Sequence, residues 1–166
     1  MFYKQGRPLW PPLSIREGLA AVLKSMLDFI DDRVPAKVLK VWRLQSPRHF
    51  QGGEWNQNGS CSSSMLLNET QVEEWFDPAN GGVNSEEREV NHLIRSALSG
   101  RQNYVVLDVA TMSEFRADAH PSLWLGSKDA HLVWGQDCLH WCLPGLPDVW
   151  VDMLSAIVLG HIEAAQ

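Results

Sequence analysis

The stretch Tyr104-Val105-Val106-Leu107-Asp108-Val109 is a nearly continuous apolar run with one charged residue close to its end. A strand covered on one face alternates apolar and polar residues, whereas a strand in a parallel sheet is covered on both faces and is apolar throughout. The run therefore predicts a buried parallel strand. A short β-branched segment, Val38–Arg43, predicts a second strand earlier in the chain.

Helical patterns surround the two strands. Ser14 precedes an apolar stripe of helical spacing and has Glu17 three residues later, which predicts a capping box and a helix from about Ile15 to Arg33. A second helix is predicted at about Asn68–Phe76. Ser85 predicts the N-cap of a third helix, about Glu86–Leu98, and Pro147 suits the first turn of a last helix, about Asp148–Leu159. This alternation of helices and strands indicates the α/β class.

Two polar loops are the candidate positions for a site. Thr111–Trp124 follows the strand at Tyr104–Val109, and Asp137–Pro147 precedes the last helix. In open α/β sheets, functional residues collect in loops at the carboxyl ends of the strands. We therefore expect these loops to carry the chemistry.

Size and charge limit the class of protein. The chain has 166 residues, 45% of them apolar, which fits one globular domain. A net charge of −6 argues against a nucleic-acid partner. No apolar run reaches the roughly 18 residues that cross a bilayer, and Lys4 and Arg7 break up any signal peptide at Met1. We expect the chain to be the interior of a longer protein or a separate short gene model.

Asp137 and His140 have the spacing of an acid–base pair. In a loop that enters a helix, this spacing can bring the carboxylate to the imidazole, where it would fix the tautomer and stabilise the imidazolium. On the motif alone, a surface or capping pair is the alternative. Zinc is not expected at Cys138, His140 and Cys142, because paired zinc ligands are usually separated by two to four residues.

The segment Asp137-Cys138-Leu139-His140-Trp141-Cys142-Leu143-Pro144-Gly145-Leu146-Pro147-Asp148-Val149-Trp150 resembles the C-terminal signature of the plant trichome birefringence-like family. Two more segments resemble that family in the same order, Arg43-Leu44-Gln45-Ser46-Pro47-Arg48-His49-Phe50 with its continuation to Cys61, and Met112–Ser122. The three ordered segments spread over most of the chain, which makes the resemblance specific.

The resemblance implies a fold similar to the GDSL/SGNH esterases, a three-layer α/β/α sandwich with a parallel sheet. It implies a Golgi-lumenal enzyme, tethered by an N-terminal membrane helix, that transfers acetyl groups to hydroxyls of cell-wall polysaccharides such as xylan, mannan, xyloglucan or pectin. Asp137 and His140 would be the acid and base of a Ser-His-Asp triad. The acetyl donor, with acetyl-CoA as a candidate, would be a substrate, and no bound cofactor is expected.

The chain departs from the family in two ways. It has no Gly-Asp-Ser, the motif that holds the family's nucleophile, and no membrane helix. We therefore expect residues 1–166 to be the C-terminal part of a single domain whose N-terminal half carries both features. The alternatives are an acetyl esterase of the same fold, and a non-catalytic truncated fragment that binds carbohydrate.

The resemblance also implies a disulfide between Cys61 and Cys138, with Cys142 paired to a cysteine outside this chain. The alternative is three free thiols in a reducing compartment.

Four polar loop residues have two interpretations. They either position the substrate or donor, or they form a local hydrogen-bonded network. They are His49, Arg116, Asp118 and His120. The remaining histidines lack such neighbours and are predicted to be surface or packing residues, namely His92, His131 and His161.

Overall fold

A computed structural model describes residues 2–82, 84–123 and 136–164. The helices and strands are β1 (Tyr3–Lys4), β2 (Arg7–Pro8), α1 (Ile15–Arg33), β3 (Lys40–Arg43), α2 (Glu69–Phe76), α3 (Glu86–Leu98), β4 (Tyr104–Leu107), α4 (Ala110–Ser113) and α5 (Leu146–Ala164). Single 3-10 turns lie at Pro78–Asn80 and Ala117–Ala119. Two predicted features lie outside the described residues. They are His131, predicted to be a surface or packing residue, and Trp124, the last residue of the predicted polar loop.

β3 and β4 pair in parallel, with Lys40 opposite Tyr104 and Arg43 opposite Leu107. This confirms the predicted parallel sheet and the α/β class. The predicted burial of both faces holds only in part among the described residues, because Leu107 is 4% exposed but Val105, on the same face, stays 36% exposed. Tyr104 and Val106 point the other way, onto the core between the sheet and the helices. The face with Val105 and Leu107 is therefore covered only in part by the described elements, whereas the face with Tyr104 and Val106 is covered by the core.

α1 and α3 cover that face. Their apolar side chains form one cluster with Leu44, and its buried members on the two helices are Leu23, Leu27, Ile94 and Leu98. α1 begins and ends at the predicted residues. The Ser14 hydroxyl accepts from the Glu17 amide at 3.2 Å, and a Glu17 oxygen accepts from the Ser14 amide at 2.9 Å, which confirms the capping box.

α3 has the predicted bounds but a different start. The backbone of Ser85 is already helical, with φ −66° and ψ −21°, so its hydroxyl cannot cap the helix. It donates instead to the carbonyl of Gly82 at 2.7 Å. One turn further, the buried amide of Asn91 accepts from the backbone of Gln45 at 2.8 Å and donates to it at 3.0 Å. Asn91 therefore fixes α3 to the chain that leaves β3.

α5 is longer than predicted and begins at Leu146, with Pro147 in its first turn as expected. Most of its apolar side chains are exposed, and Leu146 is its buried member. Among the described helices, none combines the length and hydrophobicity needed to cross a bilayer. The loop predicted at Thr111–Trp124 contains most of α4 and a 3-10 turn, and the 3-10 turn is bonded to the Asp137–Pro147 loop through the carbonyl of Ala119 and the amide of Cys142.

Candidate active site

Asp137 and His140 form the pair that their spacing predicts. The Nδ1 atom of His140 lies 2.8 Å from Oδ2 of Asp137. The other oxygen, Oδ1, accepts from the amides of Leu139 at 3.0 Å and His140 at 2.9 Å. One carboxylate therefore shapes the turn and orients the ring. The His140 side chain is 76% exposed, so its Nε2 atom can be reached from solvent.

Asp137 is held in its ionised form. Partial burial opposes ionisation, but the amides of His140 and Leu139 and the imidazole of His140 outweigh it and lower the pKa of the carboxyl below its usual value. An ionised carboxylate on Nδ1 keeps the proton on that nitrogen and leaves the lone pair on Nε2. The pair can therefore accept a proton from a hydroxyl placed at Nε2.

The turn that carries His140, residues 137–142, is tied to two other segments, and we call it the His140 turn. Ser122 and Asp137 exchange backbone hydrogen bonds at 3.0 and 2.9 Å. The amide of Cys142 donates to Ala119 at 2.9 Å, and the amide of His49 donates to Cys138 at 3.2 Å. The exposed histidine therefore stands on a backbone that is fixed on both sides.

A disulfide joins Cys61 to Cys138, with their Cα atoms 5.3 Å apart. This confirms the implied pairing, and the alternative of three free thiols is wrong for these two residues. Cys138 is fully buried and packs with Cys61 and Phe50 in a small cluster of its own. Cys142 is an exposed thiol, and its pairing outside this chain stays a prediction.

His49 and His120 lie beneath the His140 turn. Their residues are 2% and 4% exposed, and Nδ1 of His49 lies 2.8 Å from Nε2 of His120. Nε2 of His49 lies 2.8 Å from the carbonyl of Glu114, and Nδ1 of His120 lies 2.6 Å from the carbonyl of His140. Burial of this depth keeps both rings from a polysaccharide chain. The predicted substrate contact therefore needs correction for these two histidines, which form the hydrogen-bonded network that was the alternative.

Aromatic side chains enclose the two rings. Trp141 lies over His120 with ring centroids 4.1 Å apart, and Phe76 meets His49 edge-on at 5.3 Å. The indole of Trp150 packs against Trp141 at 5.5 Å. These two tryptophans therefore serve packing. Burial lowers the pKa of His49 to about 4 and also lowers the pKa of His120.

Arg116 and Asp118 form an ion pair at the surface of the 3-10 turn. Nε of Arg116 lies 2.8 Å from one carboxylate oxygen, and a terminal nitrogen lies 3.2 Å from the other. The hydrogen bond from Arg116 lowers the pKa of Asp118. Both side chains remain about one third exposed, so either can reach a bound molecule. Their role in substrate positioning stays a prediction.

A second polar cluster was not predicted from the sequence. Arg88 contacts both oxygens of Glu114 at 2.8 Å and both oxygens of Glu73 at 3.0 Å. Glu87 is 2% exposed, and burial together with the nearby Glu114 raises its pKa to about 8. Arg88, Glu114, Glu87 and Asn91 line a cleft of about 300 Å³. In the sequence Glu87 looks like an ordinary helix charge and Glu114 like a loop charge, and only tertiary packing buries these two residues.

Residues 1–157 match PC-Esterase, described as the GDSL/SGNH-like acyl-esterase family found in Pmr5 and Cas1p. The chain therefore belongs to the PC-esterase family. Within it, protein trichome birefringence-like 12 of Arabidopsis thaliana is 53% identical over 163 residues, which are 98% of this chain and 40% of the relative. The resemblance to the trichome birefringence-like family is thereby confirmed.

Two further relatives extend the comparison. Protein trichome birefringence-like 13 of Arabidopsis thaliana is 42% identical over 156 residues, 94% of this chain and 36% of the relative. Xyloglucan O-acetyltransferase 3 of Populus trichocarpa is 32% identical over 157 residues, 94% of this chain and 38% of the relative. The chain thus spans about two fifths of the length of the curated relatives it matches.

Proposed function

We propose that this chain supplies the acid–base half of an O-acetyltransferase that acts on hydroxyls of cell-wall polysaccharides. One observation carries the proposal. Asp137 holds Nδ1 of His140 at 2.8 Å while the ring stays 76% exposed on a fixed turn. A surface capping pair would explain the two bonds to the backbone, but it would not need an oriented and accessible imidazole.

The proposed reaction has two steps. Nε2 of His140 takes the proton of a serine hydroxyl as the oxygen attacks the acetyl carbonyl, and returns it to the leaving group of the donor. It then takes the proton of a sugar hydroxyl, whose oxygen attacks the acyl-serine, and gives that proton back to the serine. Asp137 stabilises the imidazolium formed in each step. The donor is a substrate, with acetyl-CoA as the candidate, and the proposed chemistry needs no bound cofactor.

The serine is proposed to come from the family's Gly-Asp-Ser motif, which these 166 residues do not contain. We propose that residues 1–166 are the C-terminal part of one domain, a three-layer α/β/α sandwich whose other half carries that motif and a membrane anchor. The coverage of the relatives supports this division. A Golgi-lumenal location is proposed with it, and the disulfide supports an oxidising compartment.

The acceptor class is proposed from a relative. One similar protein is named a xyloglucan O-acetyltransferase, which supports a polysaccharide hydroxyl as acceptor. Xylan, mannan and pectin belong to the same class. The family description as acyl-esterases favours a second candidate, an acetyl esterase, in which water takes the place of the sugar hydroxyl.

The test uses the full-length protein that carries this chain. Purified protein is incubated with acetyl-CoA and xyloglucan, xylan or mannan oligosaccharides, and acetylated sugar is measured by mass spectrometry. A parallel assay measures acetate released from acetylated oligosaccharides without donor. Acetylated product supports the transferase, release of acetate alone supports the esterase, and binding without either reaction supports a non-catalytic carbohydrate-binding protein.

Two variants separate chemistry from folding. His140→Ala should lower the active reaction by roughly 10⁴-fold or more, because the general base is lost. His161→Ala is the matched control, since that histidine is exposed near the end of α5 and lies in another part of the chain. If His140→Ala retains the turnover of the control, the proposed role of His140 is wrong.

A further inference from the structure

Three short contacts link two buried imidazoles to two backbone carbonyls. In order, they join Glu114 to His49, His49 to His120, and His120 to His140, at 2.8, 2.8 and 2.6 Å. The last carbonyl belongs to the residue proposed as the general base. The row therefore ends on the backbone of the His140 turn, defined above as residues 137–142.

The number of protons that these three hydrogen bonds need follows from the two carbonyls at the ends of the row. A carbonyl oxygen accepts and cannot donate, so Nε2 of His49 and Nδ1 of His120 must each carry a proton to bind their carbonyls. The central contact lies between Nδ1 of His49 and Nε2 of His120, and it needs one proton more. A neutral imidazole has one N–H, so two neutral rings supply two protons for three hydrogen bonds.

We propose that His49 and His120 act as a one-proton unit, which holds the His140 turn with three hydrogen bonds when it carries one extra proton and with two when it does not. The unit is then an imidazolium hydrogen-bonded to an imidazole. Loss of the extra proton sets two lone pairs against each other or leaves a carbonyl without its donor. His49 and His120 are thus positioning residues. Only their effect on acetyl transfer rests on the function proposed above.

The surroundings of the pair act in both directions. Burial lowers the pKa of each ring, whereas the carbonyls of Glu114 and His140 and the charge of Asp118 raise it. Asp137 also favours the charged form of His120, and a charge on His140 disfavours it. Because burial dominates, the extra proton enters below the usual pH range of histidine.

Two arginines and three aromatic side chains also surround the pair. Arg116 pairs with Asp118, and Arg88 pairs with the side chain of Glu114. From α2, Phe76 and Trp75 face His49 with their rings. The ring centroids of Trp141 and His120 are 4.1 Å apart. The negative face of an aromatic ring at this distance favours a positive charge on His120. A single positive charge has partners here, whereas two would repel each other at this distance.

The test counts protons directly. Ring ¹⁵N signals of the purified protein are followed by NMR as the pH is lowered, and the exchange rate of the backbone amides in the His140 turn is measured over the same range. We expect the pair to take up one proton in a single step, with slower amide exchange once it is bound. Two independent uptakes, or neutral rings throughout the pH range in which the protein stays folded, would overturn the proposal.

Two variants each keep the hydrogen bond to one backbone carbonyl and remove the proton that the two rings share. His49→Gln places an amide donor near the carbonyl of Glu114, and His120→Asn places one near the carbonyl of His140. Each should abolish the one-proton step and the pH dependence of amide exchange, while His161→Gln, an exposed control, should leave both intact. A titration of the pair that survives in either folded variant contradicts the proposal. The wild-type spectra decide the question if both variants fail to fold.

Acetyl transfer gives a separate measurement. His120→Leu removes the donor to the turn and should lower kcat roughly 10-fold, or about 1.4 kcal/mol, with KM unchanged. His120→Asn should recover part of this loss because it restores a donor. Equal losses in both variants would contradict positioning by that hydrogen bond. If the wild-type protein transfers no acetyl groups, the proposed function fails, and the NMR proton count still decides whether the pair is a one-proton unit.

Discussion

The replacement of Cys138 by alanine tests how far the disulfide stabilises the protein. The bond joins residues that are 77 positions apart. In the chain-entropy model, closing a loop of that length removes about 4.5 kcal/mol of conformational freedom from the unfolded state at 25 °C. Domains are stable by about 5–15 kcal/mol in total. We therefore expect Cys138→Ala to remove about 4 kcal/mol, which is a large share of the stability.

Urea unfolding followed by circular dichroism measures this loss in four proteins: the wild type, Cys61→Ala, Cys138→Ala and the double variant. Each single variant breaks the same bond, so the double variant should be destabilised by about as much as either one. A reductant should lower the free energy of unfolding of the wild type towards that of the variants. A loss of stability below about 1 kcal/mol in Cys138→Ala, or a loss in the double variant equal to the sum of the single losses, contradicts this expectation.

Three further predictions follow from polar groups described above. Asp137→Asn should lower kcat for acetyl transfer by about 10⁴-fold with little change in KM, because the carboxylate no longer fixes the tautomer of His140; steady-state kinetics check this, and a fall below tenfold contradicts it. The pKa of Glu87 is raised to about 8, so the folded protein keeps a proton that the unfolded chain releases, and stability falls as the pH rises from about 4.5 to 8. Glu87→Gln should flatten this fall in urea unfolding at pH 5 and pH 8, and an unchanged slope would show that Glu87 is not its source. Asn91→Ala should cost about 2–4 kcal/mol in thermal unfolding, because both backbone groups of Gln45 lose their partner; a loss under 1 kcal/mol would mean that water replaces the amide.

The parts of the fold that depend on local sequence were predictable. The Ser14 and Glu17 pair identified the start of α1, because a capping box is formed by residues within one turn. Ser85 failed as a cap because its own backbone is already helical and its hydroxyl donates to the carbonyl of Gly82. α4 was missed, although Asp108 gives a local signal: its carboxylate accepts from the amides of Ala110 and Thr111.

The burial of β4 was overestimated at one position. Leu107 is buried, whereas Val105, two residues earlier on the same face, stays 36% exposed. An apolar run predicts that both faces of a strand are covered, but it does not show how far the covering elements extend along the strand.

The parts of the site that depend on contacts between distant residues could not be predicted from the sequence. Asp137 and His140 are three residues apart, so their contact was predictable from spacing. His49 and His120 are 71 residues apart, and no local pattern pairs them. Polar residues in a loop look alike whether they face solvent or another loop, so only the fold shows that these two rings are interior and that Arg116 and Asp118 are not.

The long separation of Cys61 and Cys138 also has a consequence for biosynthesis. Synthesis at about 5–20 residues per second leaves about 4–15 s between the appearance of the two cysteines. Cys61 cannot form its native bond in that interval, and Cys138 and Cys142 then emerge only four residues apart. Because Cys138 enters a buried cluster with Phe50 while Cys142 stays exposed, packing of the nascent protein favours the native choice. Correct oxidation therefore cannot precede the synthesis of Cys138.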